Sequence, residues 1–316
     1  MRHHKSIQAI ILLFFFCIPT LLYKQAFGQG LTATKTKEGI EIYENEKKVL
    51  FYRQSPKSLD GKYERANYVH PLYSLNGNVL TEDFPEDHPY HRGIYWAWHQ
   101  ILLNNKPIAD GWTCENISWI PIKEKIKNGK ESIVLQSEVL WKVKIAQQIT
   151  DIVRETTKIT VHTSTNQYRA IDFDIHLFAL LDSLKIGGSE DIKGYGGFCL
   201  RLKLPGDISF ASQGKEVMPQ DTAVTAGPWM NFNGSFDSEN LPQTGIAVFR
   251  SPSNPGPQQK WILRKKESMQ NTPYPGRTAM TLSRKGWRLA YRIIIHNGST
   301  SVDDLEKLYQ QYVRGL

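Results

Sequence analysis

Arg169-Ala-Ile-Asp-Phe-Asp-Ile-His-Leu-Phe-Ala179 decides the fold. Ile171, Phe173 and Ile175 alternate with Asp172, Asp174 and His176. Successive side chains of a strand point to opposite faces, so this period predicts a strand with one apolar and one polar face. The polar row either lines a concave site or faces water on an outer sheet. The same period recurs outward in both directions: in Ile133-Val-Leu-Gln-Ser-Glu-Val-Leu-Trp-Lys-Val143 after the Asn128-Gly129 turn, and in the β-branched Thr156–Thr163 run. It is also found in Gly39–Glu44, Lys48–Tyr52, Gly245–Phe249 and Arg288–His296. Ser301–Tyr312 alone reads as a helix, with Ser301 or Thr300 as its cap and Asp303 and Asp304 in its first turn. Many strands and one late helix imply an all-β sandwich of antiparallel sheets.

The beginning of the chain has a different character. Arg2, His3, His4 and Lys5 precede the apolar run Ile10–Ile18, and small residues follow at Ala26 and Gly28. This is the pattern of an export signal, and it implies a periplasmic or extracellular protein. The alternative is a retained N-terminal anchor, but the run is short for a membrane span and Pro19 breaks it. Residues 1–28 are therefore read as a signal peptide and 29–316 as one β domain. Cleavage removes Arg2, Lys5 and Lys24 and no acids, so the formal charge falls from +8 by three to +5. An excess so mild and so dispersed gives no footprint for nucleic acid. Cys114 and Cys199 remain, either as one disulfide or as two small buried thiols.

Chemistry concentrates between Asn67 and His99. His70, His88, His91 and His99, four of the nine histidines, fall there beside Glu82, Asp83, Glu86, Asp87, Arg92, Trp96 and Trp98. Pro85 and Pro89 stiffen the loop. Imidazole exchanges protons near neutral pH, and carboxylates beside it tune the exchange. His88 or His91 is the expected acid or base, and Glu82, Asp83 or Asp172 its partner. Arg92 or Arg201 would hold developing negative charge. Asn67, His70, Trp98, His99 and Trp112 are expected to line the binding surface. His88-Pro-Tyr-His91 could also hold a divalent metal with Asp83, Asp87, His70 or His99, although its spacing is not diagnostic. A cofactor is otherwise not expected.

Three more stretches add candidates. Ile186–Arg201 is dense in glycine, and a wide turn there would bring backbone close to a ligand, with Lys193, Tyr195 and Arg201 as polar groups. It lacks the strand–turn–helix setting of a phosphate loop. Trp261–Gly276 carries Arg264, Gln270 and Asn271 in a proline-braced loop, and His176 stands in the alternating strand.

Asp87-His-Pro-Tyr-His-Arg-Gly93, Trp96-Ala-Trp98, Trp112, Gly196–Arg201, Trp229 and Asn271–Gly276 resemble the bacterial family that carries the methane oxygenase PmoA label. The resemblance runs from about Tyr52 to His296. The soluble members look like proteins of carbohydrate catabolism. The resemblance marks His88, His91, Arg92, Trp112, Arg201 and Asn271 as site positions. Tyr90 stands where the family motif often has histidine. A more distant similarity, to aldose-epimerase-like sugar enzymes, implies a galactose-mutarotase-like β-supersandwich, with His91, His176 and Glu267 at loosely corresponding places.

These readings lead to an expected carbohydrate-active enzyme of the epimerase, lyase or hydrolase type. The alternatives are a non-catalytic glycan binder using Trp96, Trp98 and Trp112, and a metal-dependent enzyme. The partner is a carbohydrate or glycoside, with no nucleic acid and no membrane span after signal removal. His88, His91, Arg92 and Arg201 are expected to meet in one pocket, with His91 and Arg201 outside the core. N-terminal sequencing of the exported protein should begin close to Gln29; full-length chain in the cytoplasm would refute the export reading.

Overall fold

The structure is a computed structural model that describes residues 30–316 apart from 238–242, 257–258 and 299. The expected signal peptide lies outside the described residues. Of the described residues, 54% are strand and 5% helix, far from the helix share of roughly one-third in ordinary globular proteins. This is the all-β sandwich that alternation implied.

Two antiparallel sheets face each other. The first has seven strands, in the order Leu31–Lys35, Gly39–Glu44, Lys47–Arg53, Tyr68–Leu72, Ile94–Trp98, Gly196–Leu200 and Gln270–Pro273. The second has nine and runs from Ile117–Asn128 through Ser132–Ile145, Gln148–His162, Tyr168–Ala179, Trp287–Asn297 and Thr244–Arg250 to Trp229–Gly234, Ser209–Ser212 and Lys215–Glu216. Their inner faces share one core, to which Ile42, Leu50, Ile94 and Phe198 come from the first sheet and Leu135, Ile159, Phe173 and Ile293 from the second. Ile171, Phe173, Ile175 and Leu177 all point into it. Asp172, Asp174 and His176 therefore lie on the outer face of the larger sheet. A four-stranded sheet, Met280–Thr281, Leu184–Gly187, Gln100–Leu103 and Lys106–Ala109, flanks the sandwich.

The period of two also places the tryptophans. Trp96 and Trp98 of strand Ile94–Trp98 point into the core, and Trp98 Nε1 donates to the Tyr274 carbonyl at 2.6 Å. They offer no stacking face to a ligand, contrary to expectation. Asn67 is also a core residue. Its Nδ2 donates to Glu155 at 2.7 Å, and Trp141 Nε1 and Thr157 Oγ1 donate to the same carboxyl at 2.8 and 2.5 Å. Glu155 is 0% exposed, and burial pushes its carboxyl up. Cys114 and Cys199 are both free, so no disulfide joins them.

The helix, Val302–Arg314, is capped by Ser301, whose side chain accepts from the Asp304 N–H. Its apolar stripe, Leu305, Tyr309 and Tyr312, packs on Ala170, Trp229, Ala247, Phe249 and Ile294, on the outer face of the larger sheet. Trp229 Nε1 donates to Glu306 at 2.8 Å, so the contact is polar at its rim. Leu305→Ala should cost about 2–5 kcal/mol in urea unfolding, the range for a large buried aliphatic side chain, while the β-type circular-dichroism spectrum persists. An unchanged midpoint would show that the helix does not brace the sheet.

Candidate functional site

The site lies on the outer face of the seven-stranded sheet. Tyr68, Tyr95, Ala97, Cys199 and Met269 form an apolar floor beneath Trp112, and Tyr90 and Tyr195 pack against its rim. Tyr95 and Ala97 reach this face because they alternate with the core residues Ile94, Trp96 and Trp98. The segment after Thr81 folds over the floor in tight turns: the His88 N–H donates to the Pro85 carbonyl at 3.2 Å and the His91 N–H to the His88 carbonyl at 2.9 Å.

Arg201 holds this segment down. It follows strand Gly196–Leu200, and its side chain is 3% exposed. Its Nε donates to Glu82 at 2.7 Å, and its two terminal nitrogens donate to the two oxygens of Asp87 at 2.9 and 2.7 Å. Planar two-point pairing of this kind fixes orientation as well as distance. Burial raises the Asp87 carboxyl, but the bonds from Arg201 and His88 outweigh it and hold it below the usual carboxylate range. Asp87 Oδ2 also lies 2.6 Å from His88 Nδ1. An ionised carboxylate only accepts, so Nδ1 carries the proton and the half-exposed His88 presents Nε2 outward.

His91 lies beneath His88, ring on ring at 4.6 Å and 5°. It is 2% exposed, and burial, with the charges of its neighbours, pushes it down to about 2. Its Nδ1 lies 3.4 Å from Arg201 Nη1, a donor without acceptor capacity, so Nδ1 accepts and the proton sits on Nε2. His91 is a neutral spacer, and both it and Arg201 are buried, where the sequence placed them outside the core. The rings of His88 and His91 are parallel, so their in-plane lone pairs do not converge on one ion. Among the described residues no three His, Cys, Asp or Glu side chains form a metal-ligand group.

A second imidazole–carboxylate pair stands across Trp112. His91 meets that indole edge-on at 5.9 Å, and His99 stacks on it at 5.0 Å and 22°. His99 Nδ1 donates to Asp110 Oδ2 at 2.9 Å. Burial raises the Asp110 carboxyl, yet the His99 bond and the N–H groups of Thr113 and Trp112 carry it below its usual range. Tyr195 approaches Trp112 at 5.3 Å. Asp110 and Tyr90 belong to the site, although neither was a sequence candidate; the turn type Asp110-Gly111-Trp112 is the only signal for the former.

The remaining candidates lie elsewhere. Arg92 is 0% exposed and turns away from His91's ring: it donates to the carbonyls of Pro89, His91 and Tyr63 and lies 3.6 Å over the Phe84 ring. Asp83 faces this guanidinium at 3.5 Å and accepts from Lys57 at 2.6 Å and Tyr68 at 3.3 Å. His70 bonds Thr81 at 3.0 Å and is pushed down to about 4, chiefly by burial. His70 and Asp83 line a separate groove with Lys57 and Arg53. Asn271 braces strand Gly196–Leu200, donating to the carbonyls of Gly196 and Phe198 at 3.2 and 2.9 Å. His176 pairs with Asp174 at 3.0 Å on the other sheet. Lys193 sits in the loop before Gly194, where its backbone N–H donates to Asp191 at 3.0 Å. A Cβ on Gly188 would lie 2.4 Å from the Gly194 carbonyl. The glycines there let chain pack on chain.

Residues 39–310 match the family described as DUF6807, a family of unknown function, and the chain belongs to it. No curated protein matches the chain. Among the described residues no helix is long and apolar enough to cross a membrane.

The state of His91 sets a pH dependence. Its native value of about 2 lies below the ordinary 6.5, so as pH falls through 6.5 the unfolded chain takes up a proton that the native chain refuses. Stability is therefore lost on acidification from near neutrality; His70 and His296, also lowered, act in the same sense. Linkage puts the His91 share at about 2 kcal/mol between pH ~7 and ~5. His91→Phe, which keeps the stack, should lose that much less in chemical denaturation at the two pH values. Equal losses would show that His91 is protonated when folded.

Proposed function

We propose that this is an exported carbohydrate-active enzyme in which His88 exchanges a proton with a sugar. The observation that carries the reading is the relay Arg201–Asp87–His88. An arginine fork fixes a carboxylate, the carboxylate fixes an imidazole tautomer, and the imidazole leaves Nε2 at the surface. Such orientation is what general acid–base catalysis requires, since a base must meet its proton in a set geometry. Arg201 is here a positioning residue. Its donors are engaged by Glu82, Asp87 and His91, so it is poorly placed to hold developing negative charge.

His99, held by Asp110 in the same way, is the second proton carrier. One imidazole that gives a proton and another that takes one serve epimerisation, elimination or hydrolysis alike. Tyr90 and Tyr195 offer ring faces and hydroxyls at the rim, a setting suited to a pyranose. The likeness of the Asp87–Gly93 motif to soluble proteins of sugar catabolism, and the signal-like N-terminus, support the same reading. A passive glycan platform is less favoured, because Trp112 is 3% exposed and Trp96 and Trp98 are core residues.

His88→Ala and Asp87→Asn should each lower turnover of a responsive sugar by about 10²–10⁴-fold, the usual contribution of a positioned acid or base. Both should stay folded, because both side chains are partly exposed. A wild-type protein that binds sugars without turnover, and variants that bind them equally well, would leave the glycan-binding reading in its place.

A further inference from the structure

A cleft leads away from the second imidazole. It starts at His99 and Asp110, has a volume of about 630 Å³, and passes outside strands Gln100–Leu103 and Lys106–Ala109 to Ser189 and Glu190. A second depression of about 510 Å³ adjoins it, shares Gln100, Leu102, Asn105 and Glu190 with it, and ends at Lys185 and Arg277. Either volume alone falls in the range of a small-molecule site, roughly 300–1,000 Å³. The two in line exceed what a monosaccharide fills.

The lining suits a sugar chain. Leu102, Ile108 and Ala109 form a half-buried apolar shelf of the kind that C–H faces of a pyranose cover. Hydrogen-bonding groups stand unengaged beside it. The side chains of Asn105 and Glu190 have no hydrogen-bond partner among the described residues, and Asn105 is held at the hairpin tip with φ of 63°. Gln100 spends its Nε2 on the carbonyls of Gly188 and Arg277, at 2.6 and 2.7 Å, and keeps Oε1. Those two bonds join both cleft walls before any ligand arrives, which lowers the ordering cost of binding. Charge is mixed, with Glu115 toward the site, Glu190 where the two depressions meet and Lys185 and Arg277 at the far end, so the lining favours a neutral chain.

We infer that the substrate is a neutral oligosaccharide whose reacting unit sits at the rim formed by His88 and His99 and whose further units lie along this cleft. The inference rests on the carbohydrate reading above and adds the length of the substrate to it. The test is calorimetric titration of the full chain carrying His88→Ala, which blocks turnover, with gluco-, xylo- and galacto-oligosaccharides from monomer to hexamer. Binding of one series should tighten by about tenfold or more with length. Adding Asn105→Ala and Glu190→Ala should remove that gain and leave monomer binding unchanged; placed in the wild-type chain, the same pair should leave monomer turnover unchanged. A monomer that binds as well as its hexamer overturns the inference and leaves the acid–base reading standing. A gain with length that survives the Asn105 and Glu190 substitutions overturns the cleft as its location. No binding at any length, together with no turnover by the wild type, removes both readings.

Discussion

A guanidinium taken out of water must have its donors met, and the site is organised around that demand. Arg201 is met by two carboxylates, Glu82 and Asp87, each reaching in from a partly exposed position, so its charge is compensated from two sides. Two more buried arginines serve backbone carbonyls, Arg92 on the same segment and Arg65 beneath the turn that carries Trp112. Arg65 donates to the carbonyls of Trp96 and Gly111 and lies 3.8 Å over Trp119, while Arg92 collects the carbonyls of Pro89, His91 and Tyr63. Irregular backbone over a sheet leaves carbonyls without ladder partners, and arginine supplies several donors from one side chain. The loop that carries His88 is therefore fastened by Arg201 through its carboxylates and by Arg92 through its carbonyls.

The floor under that loop follows from the pleat. In strand Ile94–Trp98 every residue is buried, because one face meets the sandwich core and the other meets Trp112 and its neighbours. The second apolar layer lets an indole pack outside the sandwich, edge-on to His91 and stacked on His99, while staying 3% exposed. The stack places a neutral ring, His91, between the buried Arg201 and the exposed His88, where a second positive charge would be repelled.

The fold was largely legible because alternation in Arg169–Ala179 and its counterparts is a direct image of one-sided burial. The helix was legible from its cap and acidic first turn. The His-rich segment stood out by composition, and its pairing with Arg201 was anticipated. What alternation could not report was direction within a strand buried on both faces, so Trp98 looked like a ligand platform while it fills the core. Arg92 and Arg201 could not be separated by residue type, since one serves carbonyls and the other carboxylates. Asn67 gave no hint of Glu155, which lies 88 residues away and meets it only across the sandwich. Asp110 was missed because a carboxylate in a turn usually caps backbone N–H groups, and this one does so while also holding His99.

Arg201 and Asp87 are 114 residues apart, and the hydrogen bonds between them close only when strand Gly196–Leu200 docks beside Ile94–Trp98. Contacts so distant along the chain form late, because the entropy of closing a long loop is spent before the contact returns anything. A growing polypeptide thus carries His88 and Asp87 well before the residue that orients them exists. The imidazole gains its fixed tautomer and direction only with the sandwich assembled, so every shorter or half-folded form of the chain carries it unoriented.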